Sequence, residues 1–154
     1  MFRQETPNAA PWRDSASTQA QADLEGLLNA ALGFAQRQLV DHGEFFPYAA
    51  AVRTDGEVEL IPARHDTHDD HPRSVDLIDA CVAALVSQRN HIRAGAIVLD
   101  TRLSDGSSDA IRVDLEHAEG HAIRILLPYT KKRLRKKVDF GQLRAEAGKR
   151  QIWP

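Results

Sequence analysis

The spacing of apolar residues predicts two amphipathic helices. Over residues 18–42, apolar side chains recur every three or four positions, and Gly43 follows as a stop signal. Thr18 and Gln21 have the spacing of a capping box, so the first helix is expected to begin at Thr18. A second apolar stripe covers residues 73–93. Each helix therefore has one apolar face that should pack on a sheet.

Short apolar and alternating runs predict five strands. The runs EFFPYAAAV and EVELIPA flank Asp55-Gly56, which favours a two-residue hairpin turn. Pro47 has no N–H to donate, so the first strand is expected to lie at a sheet edge, or to be bulged, at that point. The runs AIVLDTRL, DAIRVDLEH and HAIRILLPY follow the second helix as a meander. Charged residues alternate with apolar ones in this meander, which predicts one apolar sheet face and one face with a cross-strand ladder of opposite charges.

This order of elements predicts a single α+β domain. We expect a five-stranded antiparallel sheet with helices over one face, in the order α-β-β-α-β-β-β, followed by a basic C-terminal segment. Residues 1–16 are rich in proline, alanine and polar residues and are expected to be a flexible N-terminal arm. Residues 17–129 would form the domain. Residues 130–154 would be the basic segment, docked on that domain.

The element order resembles that of roadblock, longin and profilin-like domains, in which an antiparallel sheet packs against two helices. That resemblance carries no motif, so it implies no functional residue. The strings GEFFPYAA, SDAIRVDLEH and LPY also resemble a pattern of small uncharacterised bacterial proteins. The second resemblance implies a cytoplasmic bacterial protein and no particular activity.

Charge is unevenly distributed along the chain. Residues 1–129 contain 11 Lys and Arg against 20 Asp and Glu, a balance of -9, whereas residues 130–154 contain 9 against 2, a balance of +7. Six of these cations lie within seven positions: Lys131, Lys132, Arg133, Arg135, Lys136 and Lys137. Such a run can bind the phosphates of a nucleic acid or another acidic partner. It can also dock on the acidic body of its own chain.

Apolar residues within and after the basic run favour docking. Leu134 and Val138 are four positions apart and would share one edge of a short helix. Phe140, Ile152 and Trp153 are apolar anchors that a fully solvated tail would not need. The sequence therefore predicts that apolar contacts hold this segment and that charge selects its register on the body.

One loop carries residues typical of metal ligands. In RHDTHDDHPR, His65, His68 and His71 are spaced by three, with Asp69 among the carboxylates between them. The loop precedes a helix, where a carboxylate is also a common cap, so the alternative is a solvated acidic loop without metal. His117 is expected to be exposed at a hairpin end.

Motifs of common enzymes are missing from the sequence. There is no G-x-S-x-G, no Walker loop, no G-x-G-x-x-G and no H-E-x-x-H. This favours a non-enzymatic role without a cofactor, apart from the metal alternative. Cys81 is the only cysteine and has no paired base in any motif, which suggests a core thiol and a cytoplasmic location. No stretch has the length of apolar sequence that a membrane span requires, so no membrane association is expected.

Three aromatic residues form the candidate interface. If GEFFPYAA lies at an edge, Phe45, Phe46 and Tyr48 cannot all point into the core, because alternate residues face opposite sides of a strand. We therefore expect a small interaction or regulatory module whose partner is another protein or a second copy, as in a homodimer. The alternatives are a nucleic-acid-associated protein that uses the basic segment and a metal-binding protein or metal-dependent enzyme that uses the histidine loop.

Overall fold

The computed structural model describes residues 12–63, 73–132 and 137–154. Within these ranges the helices are α1 (Trp12–Ser15), α2 (Thr18–His42) and α3 (Ser74–Gln88), with a 3-10 turn at Arg89–His91. The strands are β1 (Tyr48–Arg53), β2 (Val58–Pro62), β3 (Ile92–Arg102), β4 (Asp109–His117), β5 (Ala122–Lys132), β6 (Lys137–Phe140) and β7 (Arg144–Ala147). The α+β class and the antiparallel sheet are confirmed.

The sheet has seven strands, so the prediction of five is wrong. Its order is β2-β1-β3-β4-β5-β6, and β7 also pairs with β5. The two additional strands come from the C-terminal segment, which the sequence predicted to be a basic segment docked on the domain and not part of its sheet. β5 is 11 residues long, and its outer edge has room for β6 at Tyr129–Lys132 and for β7 at Ile123–Leu126. Without β6 and β7, the backbone groups along the outer edge of β5 would have no partners in the sheet, and the end of the chain satisfies them.

The two long helices lie on opposite faces of the sheet, and the prediction of both on one face is wrong. In β1, Tyr48, Ala50 and Val52 join the cluster around α2, whereas Ala49 and Ala51 join the cluster around α3. Side chains alternate between the faces of a strand, and β1 has apolar residues at both sets of positions. The alanines also allow both helices to approach closely. None of the helices in the described ranges has the length and apolar character of a membrane span.

The ends of α2 explain its boundaries. Ser17 is the N-cap, and its hydroxyl accepts a hydrogen bond from the N–H of Ala20 at 3.0 Å. The cap therefore lies one residue before the predicted Thr18. At the other end, Gly43 has a φ of 78° and donates its N–H to the Leu39 carbonyl at 2.9 Å. The stop predicted at Gly43 is confirmed.

The hairpin between β1 and β2 has a longer turn than predicted. The N–H of Gly56 donates to the Arg53 carbonyl at 2.9 Å, and Gly56 has a φ of 93°. The N–H of Arg53 then donates to the Glu57 carbonyl at 2.8 Å. Three residues, Thr54 to Gly56, connect the strands instead of two. This is the three-residue loop with glycine in the left-handed region that hairpins commonly use.

The last residues of the chain are held by Glu116 of β4. The Glu116 side chain is buried, and its carboxylate accepts hydrogen bonds from the backbone N–H groups of Gln151, Ile152 and Trp153. The N–O distances range from 2.6 to 3.2 Å. Hydrogen bonds to a charged acceptor are stronger than neutral ones, so this carboxylate is a firm attachment point for the segment.

Packing adds to this attachment. Ile152 is 3 % exposed and lies in the cluster between α3 and the sheet. It sits above Gly95 of β3, where an added Cβ would be 2.7 Å from the Ile152 Cδ1 atom. Nη1 of Arg89 donates to the Ile152 carbonyl at 3.3 Å. The segment thus covers part of the α3 face that the helix itself leaves open.

We expect Gly148→Ala to destabilise the fold. An added Cβ at Gly148 would lie 2.8 Å from the backbone nitrogen of Ile123, which cannot move without shifting β5. The free energy of unfolding should fall by about 1–3 kcal/mol in urea denaturation. Gly141→Ala is the matched control, because its Cβ would lie 3.5 Å from the nearest atom of Pro128 and should change stability by less than about 1 kcal/mol. Equal stability of the two variants would contradict this account.

Removal of the Glu116 carboxylate should loosen the end of the chain. Glu116→Ala leaves buried N–H groups without an acceptor, so we expect a loss of about 2–4 kcal/mol of unfolding free energy. Amide exchange at Ile152 should become much faster. Glu59→Ala is the control, because Glu59 forms an exposed ion pair with Arg53 at 2.9 Å that is worth about 0–1 kcal/mol. Unchanged protection of Ile152 in Glu116→Ala would show that the carboxylate does not hold the segment.

Candidate functional site

The residues proposed as metal ligands, His65, His68, Asp69 and His71, lie outside the described residues. Within residues 12–63, 73–132 and 137–154, no group of three or more His, Cys, Asp or Glu side chains could hold a metal ion. The metal hypothesis therefore remains a prediction about that loop.

The basic run forms part of a β-hairpin. Lys131 and Lys132 end β5, and Lys137 begins β6, so the predicted helix through Leu134 and Val138 is wrong for Val138. All three lysines are exposed. The other three cations of the run, Arg133, Arg135 and Lys136, lie outside the described residues.

One carboxylate neutralises part of this hairpin. Asp139 of β6 lies 2.8 Å from Nζ of Lys132 and 3.9 Å from Nζ of Lys137. The hydrogen bond from Lys132 lowers the pKa of Asp139 below its ordinary value. The ion pairs thus stay within the hairpin. They do not link these lysines to the acidic body.

The aromatic residues before β1 have three different environments. Tyr48 is buried, and its hydroxyl donates to the Ala31 carbonyl of α2. Burial raises the pKa of that hydroxyl. Phe45 is half-buried and meets the Tyr48 ring edge-on at 6.1 Å between centroids. Phe46 is 61 % exposed, so it is the one of these three side chains that is available for an intermolecular contact.

β1 is an interior strand, and the prediction that it lies at an edge is wrong. β2 pairs with its outer side and β3 with its inner side. Pro47 precedes the strand, so its missing N–H removes no bond from the sheet. β2 is the terminal strand on this side of the described sheet.

Two apolar side chains of β2 are partly open to solvent. Val58 and Leu60 are each 38 % exposed. They pair with Val52 and Ala50, so they lie on the α2 face of the sheet. Val40, near the end of α2, is 54 % exposed. We call the outer side of β2, with the partly exposed side chains of Val58 and Leu60, the β2 edge surface.

A cleft of about 350 Å³ opens on the α3 face, at the opposite side of the sheet from β2. α3 packs over β1 and β3 and leaves β4 and β5 to other contacts. The cleft is lined by residues of β3, β4, β5 and β7 and of the turn after β3. Four of its lining residues are arginines: Arg102, Arg112, Arg124 and Arg144. We call this the arginine cleft.

A charge ladder forms the floor of the arginine cleft. Nε and Nη2 of Arg112 donate to Asp114, at distances down to 2.7 Å. Nε of Arg124, the cross-strand neighbour of Asp114, donates to the same carboxylate at 2.9 Å. The predicted cross-strand ladder is thus present at Asp114. Glu116 was expected in the same row, but it is buried beneath the C-terminal residues.

A buried polar cluster connects α2 to the end of β4. Asp23 accepts hydrogen bonds from Arg93 at 2.9 Å and from Gln19 at 3.0 Å. Nε2 of His117 lies 2.9 Å from the other oxygen of Asp23, and Nδ1 accepts the N–H of Glu119 at 3.1 Å. The Nδ1 contact implies that Nε2 carries the hydrogen and donates it to Asp23.

This cluster has the composition of a catalytic dyad but a structural geometry. His117 is 3 % exposed, so the prediction of an exposed hairpin histidine is wrong. Both ring nitrogens have partners inside the protein, and neither is in reach of a substrate. Cys81 is also buried, and burial raises the pKa of its thiol to about 11. The interpretation of Cys81 as a core thiol agrees with this environment.

No protein-family model matches the chain, and no match to it is found among curated proteins or solved structures. The fold defines the class as α+β, with two long helices on an antiparallel sheet. The resemblance of its element order to roadblock, longin and profilin-like domains stays a prediction. Three surfaces of the described residues are candidates for function: the β2 edge surface, the β5–β6 hairpin with its exposed lysines, and the arginine cleft.

Proposed function

We propose that this protein is a small non-enzymatic interaction module that self-associates through β2. The observation that carries the proposal is β2, the terminal strand of the described sheet, whose outward backbone groups lie beside the partly exposed side chains of Val58 and Leu60. A sheet edge of this kind is a template for pairing with another strand. The proposal includes a cytoplasmic location, which is supported by the buried free thiol of Cys81, the only cysteine in the sequence.

The direction of the backbone groups of β2 follows from the hairpin. Arg53 and Glu57 are a hydrogen-bonded pair. Hydrogen-bonded and non-hydrogen-bonded pairs alternate in an antiparallel ladder, so the N–H groups of Val58 and Leu60 point away from β1. Pro62 occupies the next outward position, where its missing N–H costs the β1 ladder nothing. Among residues 12–63, 73–132 and 137–154, the outer edge of β2 therefore offers two donors and three acceptors.

One register satisfies this edge when two copies pair antiparallel. With the two-fold axis at Leu60, the N–H groups of both Leu60 residues donate to each other's carbonyls. The N–H of each Val58 reaches the carbonyl of the Pro62 in the other copy. Each Glu59 then lies opposite an Ile61. If the two-fold axis passed through Glu59 instead, the Glu59 side chains of the two copies would lie opposite each other, and their like charges would repel.

Apolar side chains would be buried in the same contact. The two-fold axis is normal to the sheet, so both copies keep the α2 face on one side and the two Leu60 side chains meet there. Phe46, which is 61 % exposed, precedes β1, the strand that pairs with β2. A short paired edge with few apolar side chains buries a modest area, and a concentration-dependent dimer is expected.

Leu60→Pro should abolish self-association without unfolding the monomer. The substitution removes the central outward donor, whereas the N–H of Leu60 makes no bond in the β1 ladder. Light scattering over a range of protein concentrations should show dimer for the wild type and monomer for the variant. Leu60→Lys should act in the same direction by placing a charge at the axis.

Val75→Lys is the matched control for this experiment. Val75 is 51 % exposed on α3, which lies on the opposite face of the sheet from Val58 and Leu60, so its replacement removes a similar apolar side chain from another surface. It should leave the monomer–dimer equilibrium unchanged. A wild type that stays monomeric at millimolar concentration would refute self-association, and a dimer that persists in Leu60→Pro would refute the β2 contact.

A second candidate function is binding of a nucleic acid, because the basic run forms a hairpin with exposed lysines. Lys131, Lys132 and Lys137 lie on two paired strands, and two-stranded ribbons are one of the elements that enter DNA grooves. Their charges are not used in ion pairs with residues 12–63 or 73–129. Contacts to phosphates would make such binding strongly dependent on salt.

A salt titration of binding to generic DNA and RNA tests this second candidate. The slope of log K against log salt is negative, and its magnitude grows with the number of phosphates contacted. If the hairpin contacts phosphates, the triple variant Lys131→Glu/Lys132→Glu/Lys137→Glu should reduce the magnitude of that slope by about 3. Arg37→Glu/Arg73→Glu is the control, because both arginines are exposed cations outside the hairpin. Absence of binding at low salt would exclude this function.

A further inference from the structure

The arginine cleft has the dimensions of a small-molecule site. Its volume of about 350 Å³ falls within the range of ligand pockets, about 300–1,000 Å³. Its lining combines guanidinium groups with the side chains of Thr101 and Ser104 and with apolar surface from Leu126. Ligand sites commonly have this combination of a few convergent polar groups and an apolar wall.

Carboxylates hold three of the four arginines of the cleft at ion-pair distance. Arg102 pairs with Asp109 at 3.2 Å, and Arg112 and Arg124 share Asp114. Glu146 of β7 lies 3.9 Å from Nη1 of Arg124, beyond hydrogen-bond distance. The fourth arginine of the cleft, Arg144, forms no ion pair within 4.0 Å with any residue in the described ranges. The pKa of Asp105 is lowered by hydrogen bonds from Ser107 and, to a smaller extent, by the charge of Arg144. Arg144 is therefore the arginine of the cleft whose guanidinium group is not held by a carboxylate at ion-pair distance within the described residues.

The ladder also fixes the orientation of two guanidinium groups. Arg112 uses Nε and Nη2 for Asp114, and Arg124 uses Nε for the same carboxylate. Each guanidinium has five N–H donors, so donors remain that are held in place but not used by Asp114. Donors that are already positioned lose little entropy on binding a ligand.

We propose that the arginine cleft binds the phosphoryl group of a small molecule. A guanidinium matches two phosphate oxygens at once, and a tetrahedral dianion can engage several such forks together with hydroxyl donors. Thr101 and Ser104 supply hydroxyls at the same cleft. The apolar wall at Leu126 would contact the remainder of the ligand.

This site is independent of the proposed self-association. The cleft involves β3, β4, β5 and β7, whereas the proposed dimer contact uses β2, on the other side of β1. Loss of binding in the cleft would therefore leave the monomer–dimer equilibrium unchanged. The two proposals can fail separately.

Titration calorimetry with inorganic pyrophosphate, at constant ionic strength, tests the proposal. Wild-type protein should bind one equivalent with saturation, and Arg144→Gln should weaken binding at least about 10-fold. Arg144 is exposed, so the variant should keep its far-UV spectrum and its unfolding midpoint. Arg144→Lys keeps the charge but loses the fork, and it should bind with intermediate affinity.

Two controls separate this site from general attraction of anions. Lys131→Gln/Lys132→Gln/Lys137→Gln removes three exposed cations of the β5–β6 hairpin and should leave pyrophosphate affinity unchanged. Citrate has a similar charge near neutral pH but carries carboxylates, and it should bind more weakly. Absence of saturation, an unchanged affinity in Arg144→Gln, a loss caused by the lysine variant, or tighter binding of citrate would each overturn the proposal.

Discussion

The attachment of the C-terminal residues to Glu116 is the interaction on which the described structure depends. A buried carboxylate needs partners, and here backbone N–H groups of three consecutive residues supply them. The bonded residues lie about 36 positions away along the chain. Their attachment places Ile152 against Gly95 and brings the preceding residues alongside β5. The seven-stranded sheet and the cluster between α3 and the sheet therefore share one anchoring group.

The same attachment divides the α3 face of the sheet into two parts. Over β1 and β3, α3 and Ile152 exclude water from an apolar layer. Beyond Glu116, the sheet carries Arg112, Asp114 and Arg124, and β7 closes its margin. Neither α3 nor the C-terminal residues cover this ladder completely, so the arginine cleft stays open beside it. The cleft is thus a consequence of how far a 15-residue helix reaches across a wide sheet.

Several features could be predicted because they depend on local sequence. The stripe of α2, its stop at Gly43 and the meander all follow from residues close in the chain. The helix faces could not be predicted, because YAAAV in β1 is apolar at every position and has no alternation to interpret. The burial of Glu116 could not be predicted either, because Glu116 alternates with apolar residues in DAIRVDLEH just as Arg112 and Asp114 do and therefore looks like a residue of the charged sheet face. Its partners come from a segment that reads as polar, and only the long open edge of β5 explains why RAEA forms a strand. Phe45, Phe46 and Tyr48 were expected not to point into the core all together, without a choice among them, and the exposed one is Phe46, although the strand that follows it is not an edge.

Net charge was a poor guide to how the C-terminal segment is held. A body at -9 and a segment at +7 suggest ion pairs between them. In the described residues, the ion pair that joins residues 12–129 to residues 137–154 is Arg124 with Glu146, at 3.9 Å. Here the body supplies the cation and the C-terminal segment supplies the carboxylate, which is the opposite of what the net charges suggest. Hydrogen bonds to Glu116 and the burial of Ile152 hold the segment instead. Exposed ion pairs contribute about 0–1 kcal/mol each, which is less than the combined contribution of the Glu116 hydrogen bonds and the burial of Ile152. Within the described residues, Lys132 and Lys137 of the β5–β6 hairpin pair with Asp139 of the same hairpin, so these ion pairs do not attach the C-terminal residues to the acidic body.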